Sequence, residues 1–222
     1  MNVQSLVANY NRVELLIYEN MPDFFVCTEA RFTEEIGESE ICVNGYKIFR
    51  SSSSTRNSGG IVVYVKEGVK FRLIKQIKQN DNILIFFIDR SRCRGFWIAV
   101  YHSPNSNHMQ FLDQLSYLYE SYIPASANVY VSGDFNIDLK STTLPRNLRD
   151  KLHAFENNNN LKQVVTKYTR VSQTSKTLID HCYTNDRHIS AKIVDDVSVA
   201  DHKMIIIRKK DTTKNYLMKI SF

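Results

Sequence analysis

The sequence predicts an α+β fold in which β-sheets pack on each other and helices lie outside. Short apolar runs rich in β-branched and aromatic residues recur along the chain, and several are separated by brief polar turns, as in hairpins. Helical periodicity is confined to a few segments. With 43% hydrophobic residues, including 12 Phe and 12 Tyr, the chain can bury a large core. We therefore expect one domain over residues 1–210.

Each predicted element has a local reason in the sequence. Val13, Leu16 and Ile17 recur at helical spacing, and Asn20–Met21–Pro22 ends that helix because proline cannot continue it. Apolar residues three and four apart predict further helices at 111–122 and 145–156. The remaining apolar runs predict strands at residues 24–28, 45–50, 61–65, 71–77, 83–88, 96–101, 129–131, 178–183, 189–197 and 204–207. Residues 211–222 are predicted to form a polar, basic tail.

The stretch from Val131 to Asp138 is the first candidate site. Its apolar strand stops at Ser132–Gly133, where glycine permits a bend that a Cβ would hinder. Asp134 and Asn136 follow, and side chains two apart in extended chain point to the same side. The carboxylate can accept a proton or face a metal ion, and the amide can donate to a phosphate oxygen. The alternative is an Asx-type turn that satisfies local backbone groups.

Further polar residues stand at the ends of apolar runs. Glu29 directly follows the strand at 24–28, and its alternative is a loop residue in water. The full set is Asn2, Glu29, Tyr101, Asn105, Asp134, Asn136, Asp180, Asp201 and His202. Oxygen ligands without a Cys/His cluster favour Mg²⁺ or Mn²⁺ over Zn²⁺. The pairing of His202 with a neighbouring Asp is typical of an imidazole oriented by a carboxylate, and the alternative is a surface histidine ahead of a strand.

Composition and charge narrow the compartment and the partners. Residues 1–40 carry 2 basic and 8 acidic residues, whereas residues 41–222 carry 27 basic and 15 acidic ones. A basic majority suits a polyanion such as nucleic acid, and a merely soluble basic surface is the alternative. No apolar run approaches the roughly 18 residues that cross a membrane, so we expect no membrane partner. The four cysteines lack zinc or redox spacing, which favours free thiols inside the cell.

In their order and spacing, these motifs resemble the endonuclease/exonuclease/phosphatase superfamily. Within it, the sequence is most similar to the apurinic-like endonuclease domain of non-LTR (LINE-type) retrotransposons, from Asn2 to about Ile207. The motifs are Asn2–Leu6, Thr28–Glu29, Gly59–Gly60–Ile61, Tyr101–Asn105, Ser132–Asn136, Thr169, Ile179–Asp180–His181 and Ala200–Asp201–His202. The resemblance implies a four-layer αββα sandwich of the DNase I-like type, with two mixed β-sheets packed face to face and helices outside.

The resemblance implies a metal centre beside a histidine that contacts the scissile phosphate. Glu29 matches the main metal ligand, with Asn2 and Asp201 near the same ion, which would be Mg²⁺ or alternatively Mn²⁺. His202 matches the phosphate-contacting histidine. Asp180 matches its orienting partner, which determines the imidazole tautomer and basicity.

The remaining matches surround the reacting phosphate. Asp134 matches the residue that activates or positions the attacking water, and Asn136 and Tyr101 match residues that stabilise the developing charge. Asn105 and Thr169 match contacts on the phosphate side. The implied reaction cuts one strand of double-stranded DNA and leaves a 3′ hydroxyl, which such retrotransposons use as a primer. The basic region after residue 40 would hold the duplex by its phosphates.

Target choice is expected to lie in the surface loops at residues 51–58, 140–146 and 170–177. Arg56 and Arg170 belong to two of these loops. We predict that replacing either arginine by alanine weakens DNA binding while sparing the metal site.

Some features depart from the family and leave other functions open. The family usually has serine where Ala200 stands, and the first strand is cut at Met1, which would weaken the placement of Asn2. No reverse transcriptase partner domain follows, and we expect a monomer that acts in the nucleus. The alternatives are a phosphoesterase for an abasic site, a lipid headgroup or an inositol phosphate, and a nucleic-acid-binding module that has lost turnover.

Overall fold

The computed structural model describes residues 1–52, 59–78, 81–89, 94–210 and 216–222, and within them it contains two six-stranded sheets. Only the backbone is described for residues 195–198 and 216–218. The helices are α1 (Tyr10–Asn20), α2 (His108–Tyr122) and α3 (Arg146–Asn158). The strands are β1 (Phe24–Thr28), β2 (Tyr46–Ser51), β3 (Ile61–Lys66), β4 (Phe71–Lys78), β5 (Asn82–Ile88), β6 (Gly95–Tyr101), β7 (Val129–Asp134), β8 (Lys162–Gln163), β9 (Arg170–Val171), β10 (Lys176–Thr177), β11 (Asp180–Thr184), β12 (Ile189–Ser198), β13 (Lys203–Lys210) and β14 (Tyr216–Ser221).

Both large sheets are mixed. The first has the strand order β12-β13-β14-β1-β3-β2, and the second has the order β4-β5-β6-β7-β11-β8. In the first sheet β1 runs parallel to β14, and in the second β6 runs parallel to β7, while their other pairs are antiparallel. The predicted hairpin of β4 and β5 is present.

Aromatic side chains fill the space between the two sheets. Phe24 of the first sheet packs edge-on against Trp97 of the second, with ring centroids 5.0 Å apart. Phe86 stacks on the same indole at 5.5 Å. The indole Nε1–H donates to Ser132 Oγ at 2.9 Å, so that the buried polar atom is satisfied. Each such side chain contributes about 1.5–3 kcal/mol on burial, and together they hold the sheets face to face.

The helices cover the outer faces of the sheets. Leu16 and Ile17 of α1 pack on the first sheet, and the stripes of α2 and α3, such as Leu115 and Leu152, pack on the second. Asn107 caps α2, because its Oδ1 accepts hydrogen bonds from the first-turn N–H groups. The four-layer αββα sandwich predicted from the sequence is therefore confirmed. No helix in the described ranges has the length and apolar character needed to cross a membrane.

The prediction of a polar tail over residues 211–222 was wrong for Tyr216–Ser221, which form strand β14 of the first sheet. Strand β14 lies between β13 and β1, and Ile220 pairs in register with both Phe24 and Ile207. Ile220 and Phe222 are buried between the sheets. The segment is rich in apolar and aromatic residues, namely Tyr216, Leu217, Met218, Ile220 and Phe222, and the prediction of a polar tail overlooked this strand-like composition. Pairing with β1 and β13 stabilises the strand. Residues 211–215 lie outside the described part.

Candidate active site

Three neighbouring strands of the second sheet bring polar residues together at one end. Tyr101 of β6 is in register with Asp134 of β7, which is in register with Asp180 of β11. Gly133 makes this close pairing feasible, because a Cβ on it would collide with the carbonyl oxygen of Val100 on β6. The strand-to-turn transition predicted at this glycine is therefore where the site forms.

His202 lies directly before β13 and is held by Asp180. Its Nδ1 lies 2.9 Å from Asp180 Oδ2, and the two side chains are only 3% and 2% exposed. Thr169 positions the carboxylate, because its Oγ1 accepts the N–H groups of Ile179 and Asp180 at 3.2 and 3.1 Å. Since Nδ1 is bound to Asp180, Nε2 is the ring atom left to contact a substrate.

The charges in this pair shift both pKa values. Burial works to lower the pKa of His202, but the charge and hydrogen bond of Asp180 outweigh it, with help from Asp134, and raise it to about 9. Burial likewise works to raise the pKa of Asp180, but the charge and hydrogen bonding of His202 lower it. At neutral pH the pair is thus an imidazolium held by a carboxylate.

Asp134 is buried next to this pair and is harder to ionise. Its Oδ2 accepts a hydrogen bond from Asn2 Nδ2 at 3.2 Å, and its Oδ1 accepts from the backbone N–H of Asn136 at 3.1 Å. Burial and the charge of Asp180 raise the pKa of Asp134 to about 7, against the lowering effect of His202. The Asx-type contact that the sequence left as an alternative is therefore present, but it occupies one oxygen of a carboxylate that titrates near neutrality.

Replacing Asp134 by asparagine is expected to change the pH dependence of stability. A carboxyl whose pKa rises from 3.8 to about 7 on folding stabilises the protein below pH 3.8, and this contribution is lost as pH rises to about 7. The Asp134→Asn variant lacks this loss. In EDTA, its Tm relative to the native protein should therefore increase by a few degrees from pH 5 to pH 8, since 1 kcal/mol is worth roughly 2–4 °C at this chain length. Thermal melts across this pH range measure the difference, and a flat or falling difference contradicts the raised pKa.

The three predicted metal ligands differ in how strongly protein donors already hold them. Glu29 has only long contacts, with the Tyr101 hydroxyl donating to Oε1 at 3.3 Å and Arg31 at 3.4 Å from Oε2. Asn2 Oδ1 accepts the N–H of Gln4 at 3.1 Å. Asp201 accepts from Gln4 Nε2 at 3.0 Å and from the guanidinium Nε of Arg170 at 2.6 Å. Glu29 is thus the most available of the three.

The donor set fits a hard divalent cation. The site holds more carboxylates than cationic side chains: Glu29, Asp134, Asp180 and Asp201 against Arg31, Arg170 and His202. The ligand atoms of Asp134, Asp180 and His202 lie within 4.8 Å of one another, a different trio from the predicted one. In that trio His202 and Asp180 are hydrogen-bonded to each other, whereas Glu29 has only long contacts. Carboxylate and amide oxygens are the ligands that Mg²⁺ and Mn²⁺ prefer.

The structure does not gather all the predicted residues at this point. Asn105 is exposed in the loop before α2, while the Thr169 hydroxyl is buried and supports Asp180. Arg56 lies outside the described residues. Arg170 pairs with Asp201, so its replacement would disturb a predicted metal ligand, and the expectation that it spares the metal site does not fit this contact.

Sequence reasoning missed a buried histidine network beside the site. His102 Nδ1 lies 2.7 Å from Asp81 Oδ1, and its Nε2 lies 2.6 Å from His108 Nδ1. The backbone carbonyl of His102 accepts from Asn136 Nδ2 at 2.8 Å, which orients that amide. The sequence signal for this network was His102, which directly follows the apolar strand that ends at Tyr101. Its partner Asp81 lies in the turn between β4 and β5, and no local pattern connects the two residues.

A DNase I-like sandwich with carboxylates and an imidazole at its strand ends is the class that the fold and the site define. The sequence matches the endonuclease/exonuclease/phosphatase family over residues 2–202, and the chain belongs to this family. Members of the family are hydrolytic nucleases and phosphatases, and they depend on divalent metal ions. Among curated proteins, none matches the sequence.

Solved structures with the same fold include several nucleases. The endonuclease domain of TRAS1, a telomere-specific non-LTR retrotransposon, superposes with a TM-score of 0.73 at 14% identity, covering 93% of this chain and 94% of that one. The AP endonuclease LMAP from Leishmania major gives a TM-score of 0.72 at 14% identity, covering 91% and 84%. D. rerio TDP2 complexed with single-strand DNA product gives 0.60 at 13% identity, covering 91% and 93%. At these identities the likeness concerns the fold.

Proposed function

We propose that this protein is a metal-dependent DNA endonuclease that nicks one strand and leaves a 3′ hydroxyl. The observation that carries the proposal is the buried cluster of Asp134, Asp180 and His202, in which an imidazolium and a carboxylate with a pKa near 7 lie side by side. Phosphodiester hydrolysis needs this pair of functions, a donor for the phosphate oxygens and an acceptor for the proton of water.

The residues divide the reaction between them. Asp134 accepts a proton from the water that attacks phosphorus, the bond to the 3′ oxygen breaks, and the departing 3′ oxygen takes a proton from solvent water to become the hydroxyl. His202, kept protonated and oriented by Asp180, donates from Nε2 to a non-bridging phosphate oxygen. Asn136 would donate to the same phosphate through the second N–H of its side-chain amide, since the first is taken by the carbonyl of His102. Tyr101 would act there only after its single hydroxyl proton turns from Glu29 to the phosphate. The products are a 3′ hydroxyl and a 5′ phosphate.

Glu29, with Asn2 and Asp201, would hold the Mg²⁺ or Mn²⁺ ion. When bound, a divalent ion supplies positive charge that offsets the charge developing on the phosphate. Tyr101 links the two parts of the site, because its hydroxyl donates to Glu29 while its strand pairs with that of Asp134. The same contact orients Glu29 before any ion arrives.

Double-stranded DNA is the substrate that the charge distribution favours. The region after residue 40 is strongly basic, and the ribbon of β9 and β10 (Arg170 to Thr177) stands next to His202 through a backbone bridge at Arg170. The names of the similar structures support nucleic acid, since they include a retrotransposon endonuclease and an AP endonuclease. In target-primed retrotransposition, the 3′ hydroxyl would serve as a primer for a reverse transcriptase partner.

The test is nicking of supercoiled plasmid with Mg²⁺, with Mn²⁺ and with EDTA. We expect open circles with either metal and none with EDTA, and ligation should reseal nicks that carry a 3′ hydroxyl and a 5′ phosphate. A parallel reaction with a duplex that contains one abasic site separates general nicking from abasic-site cleavage, and a phosphoinositide reaction tests the lipid-directed alternative. A folded protein that binds DNA but cuts nothing with either metal would overturn the proposal in favour of a binding module.

A further inference from the structure

A cleft of about 710 Å³ lies between the outermost strands β2 and β4 of the two sheets. At one end these strands are tied together, because Ser51 Oγ donates to the carbonyl of Ile77 and Gln76 Nε2 donates to that of Arg50. The cleft occupies the other end, where it is lined by the first residues of β4 and by Lys47 and nearby residues of β2. Two sheet edges that meet at one end and separate at the other thus leave an open groove.

The floor of the cleft is aromatic and firmly held. Phe49 and Phe71 meet edge to face with ring centroids 4.9 Å apart. Phe71 also packs against Phe24 and Phe86 of the core between the sheets. Both Phe49 and Phe71 remain partly exposed at the surface. The groove therefore offers a rigid apolar surface that can stack against a flat ring.

The rim of the cleft is strongly positive. Lys47, Lys70, Arg72 and Arg94 are exposed around it, and Asp89 is the one carboxylate among the lining residues that the structure describes. Arg72 and Arg94 both lie over the ring of Phe87, at 5.6 and 5.4 Å from its centroid. These cation–π contacts hold the two guanidinium groups at the mouth of the cleft, although Arg94 is partly neutralised by Asp89 at 3.6 Å.

We propose that this cleft binds single-stranded DNA, with bases against the aromatic floor and phosphates on the cationic rim. Positive charge along a groove combined with aromatic faces is the chemistry that holds an unpaired strand without sequence preference. A duplex keeps its bases stacked inside and would reach only the rim. Single-stranded DNA thus complements both parts of the cleft.

A peptide that adds to the edge of β4 fits less well, because β4 has a register shift between Leu73 and Lys75. RNA presents the same bases and phosphates, and the Asp89 carboxylate can accept a hydrogen bond from its 2′ hydroxyl, so the described walls of the cleft suit either nucleic acid. The choice of DNA over RNA rests on the proposed function, whereas binding of a single strand does not.

The cleft is separate from the catalytic end of the strands. Phe71, Ile88 and Gly95 are in register at the cleft end, and Lys78, Asn82 and Tyr101 are in register at the catalytic end. Six residues at about 3.4 Å each place the two ends roughly 20 Å apart. Charge changes at the cleft should therefore leave the geometry of Asp134 and His202 intact.

The test measures binding of a fluorescein-labelled 12-residue oligothymidylate by fluorescence anisotropy, in EDTA and over a salt series. We expect the Lys47→Glu/Arg72→Glu variant to bind at least tenfold more weakly, with a salt slope shallower by about 0.7 for each lost phosphate contact. The milder Lys47→Ala/Arg72→Ala variant should show a smaller loss of affinity and the same change of slope. The matched control is Arg149→Glu/Lys162→Glu, at exposed positions of α3 and of β8 on the opposite edge of the sheet from β4, which should bind like the native protein.

Equal affinity and salt slope in the native protein and both cleft variants, at matched Tm, would overturn the proposal. So would equal competition by polyglutamate of the same charge, because that result identifies a site for acidic peptides. An oligouridylate that binds more than tenfold tighter would overturn the assignment to DNA. Plasmid nicking is measured on the same variants. Loss of oligonucleotide binding with unchanged nicking supports the proposal that the cleft binds a single strand. Absence of nicking in every protein, the native one included, refutes only the proposed nuclease activity.

Discussion

His202→Ala is expected to lower the rate of plasmid nicking by about 10³-fold, with the protein still folded. In the proposed mechanism the substitution removes the imidazolium that donates to the phosphate oxygen, and loss of one such donor typically costs a factor of 10²–10³. It also leaves the Asp180 carboxylate buried without its cationic partner, which adds a misplaced negative charge next to Asp134. The measurement is the initial rate of open-circle formation with saturating Mg²⁺.

Two further variants make the His202 result interpretable. His202→Gln can still donate a hydrogen bond to Asp180 but carries no charge, so it should fold like the native protein and remain at least 10²-fold slower. His153→Ala removes an exposed histidine of α3 and should nick normally. A loss of less than tenfold in a folded His202→Ala protein would remove this residue from the mechanism.

Glu29→Gln is expected to have the second largest effect, through the cation. Glutamine keeps the size of the side chain and can still accept the Tyr101 hydroxyl, but it removes the most available carboxylate of the site. We expect nicking at least 10²-fold slower and a higher half-maximal Mg²⁺ concentration. The rise in Tm on adding Mg²⁺ should also shrink, because an ion that binds the folded state stabilises it in proportion to its affinity.

The control for Glu29 is Glu120→Gln, an equal loss of charge at an exposed position on α2. It should leave both the Mg²⁺ requirement and the Mg²⁺-induced Tm shift unchanged. If Glu29→Gln behaves like this control in both assays, Glu29 is not a metal ligand. The trio of Asp134, Asp180 and His202 would then be the alternative place for the ion.

Local pattern was sufficient for most of the fold. Apolar runs such as those at Phe24–Thr28 and Ile61–Lys66 are strands because β-branched and aromatic residues suit a surface buried on both faces. The apolar residues of β14 were sufficient to indicate a strand, but its place between β1 and β13 depends on segments that lie far away in sequence. The ribbon of β9 and β10 has strands of two residues, which have no periodicity to detect.

For the candidate site, the sequence indicated which residues come together but did not indicate all of their contacts. The sequence pointed to Asp134, Asp180 and His202, and the structure brings them together. Thr169 was expected at the phosphate, but its hydroxyl is turned inward to hold the backbone before Asp180. Arg170 was expected to act on DNA alone, but it pairs with Asp201. These contacts join segments that no local pattern connects.

By itself, the sequence determined where the apolar runs lie along the chain, which polar residues stand at their ends, and that the chain is basic after residue 40. These properties depend on residue type and spacing, which are local. Only the tertiary structure decided that Asp134 lies against Asn2, that Thr169 supports the backbone at Asp180 and that β2 and β4 leave a basic cleft. Desolvation and Coulomb energies depend on distances between groups remote in sequence, so the protonation states of the site follow from folding alone.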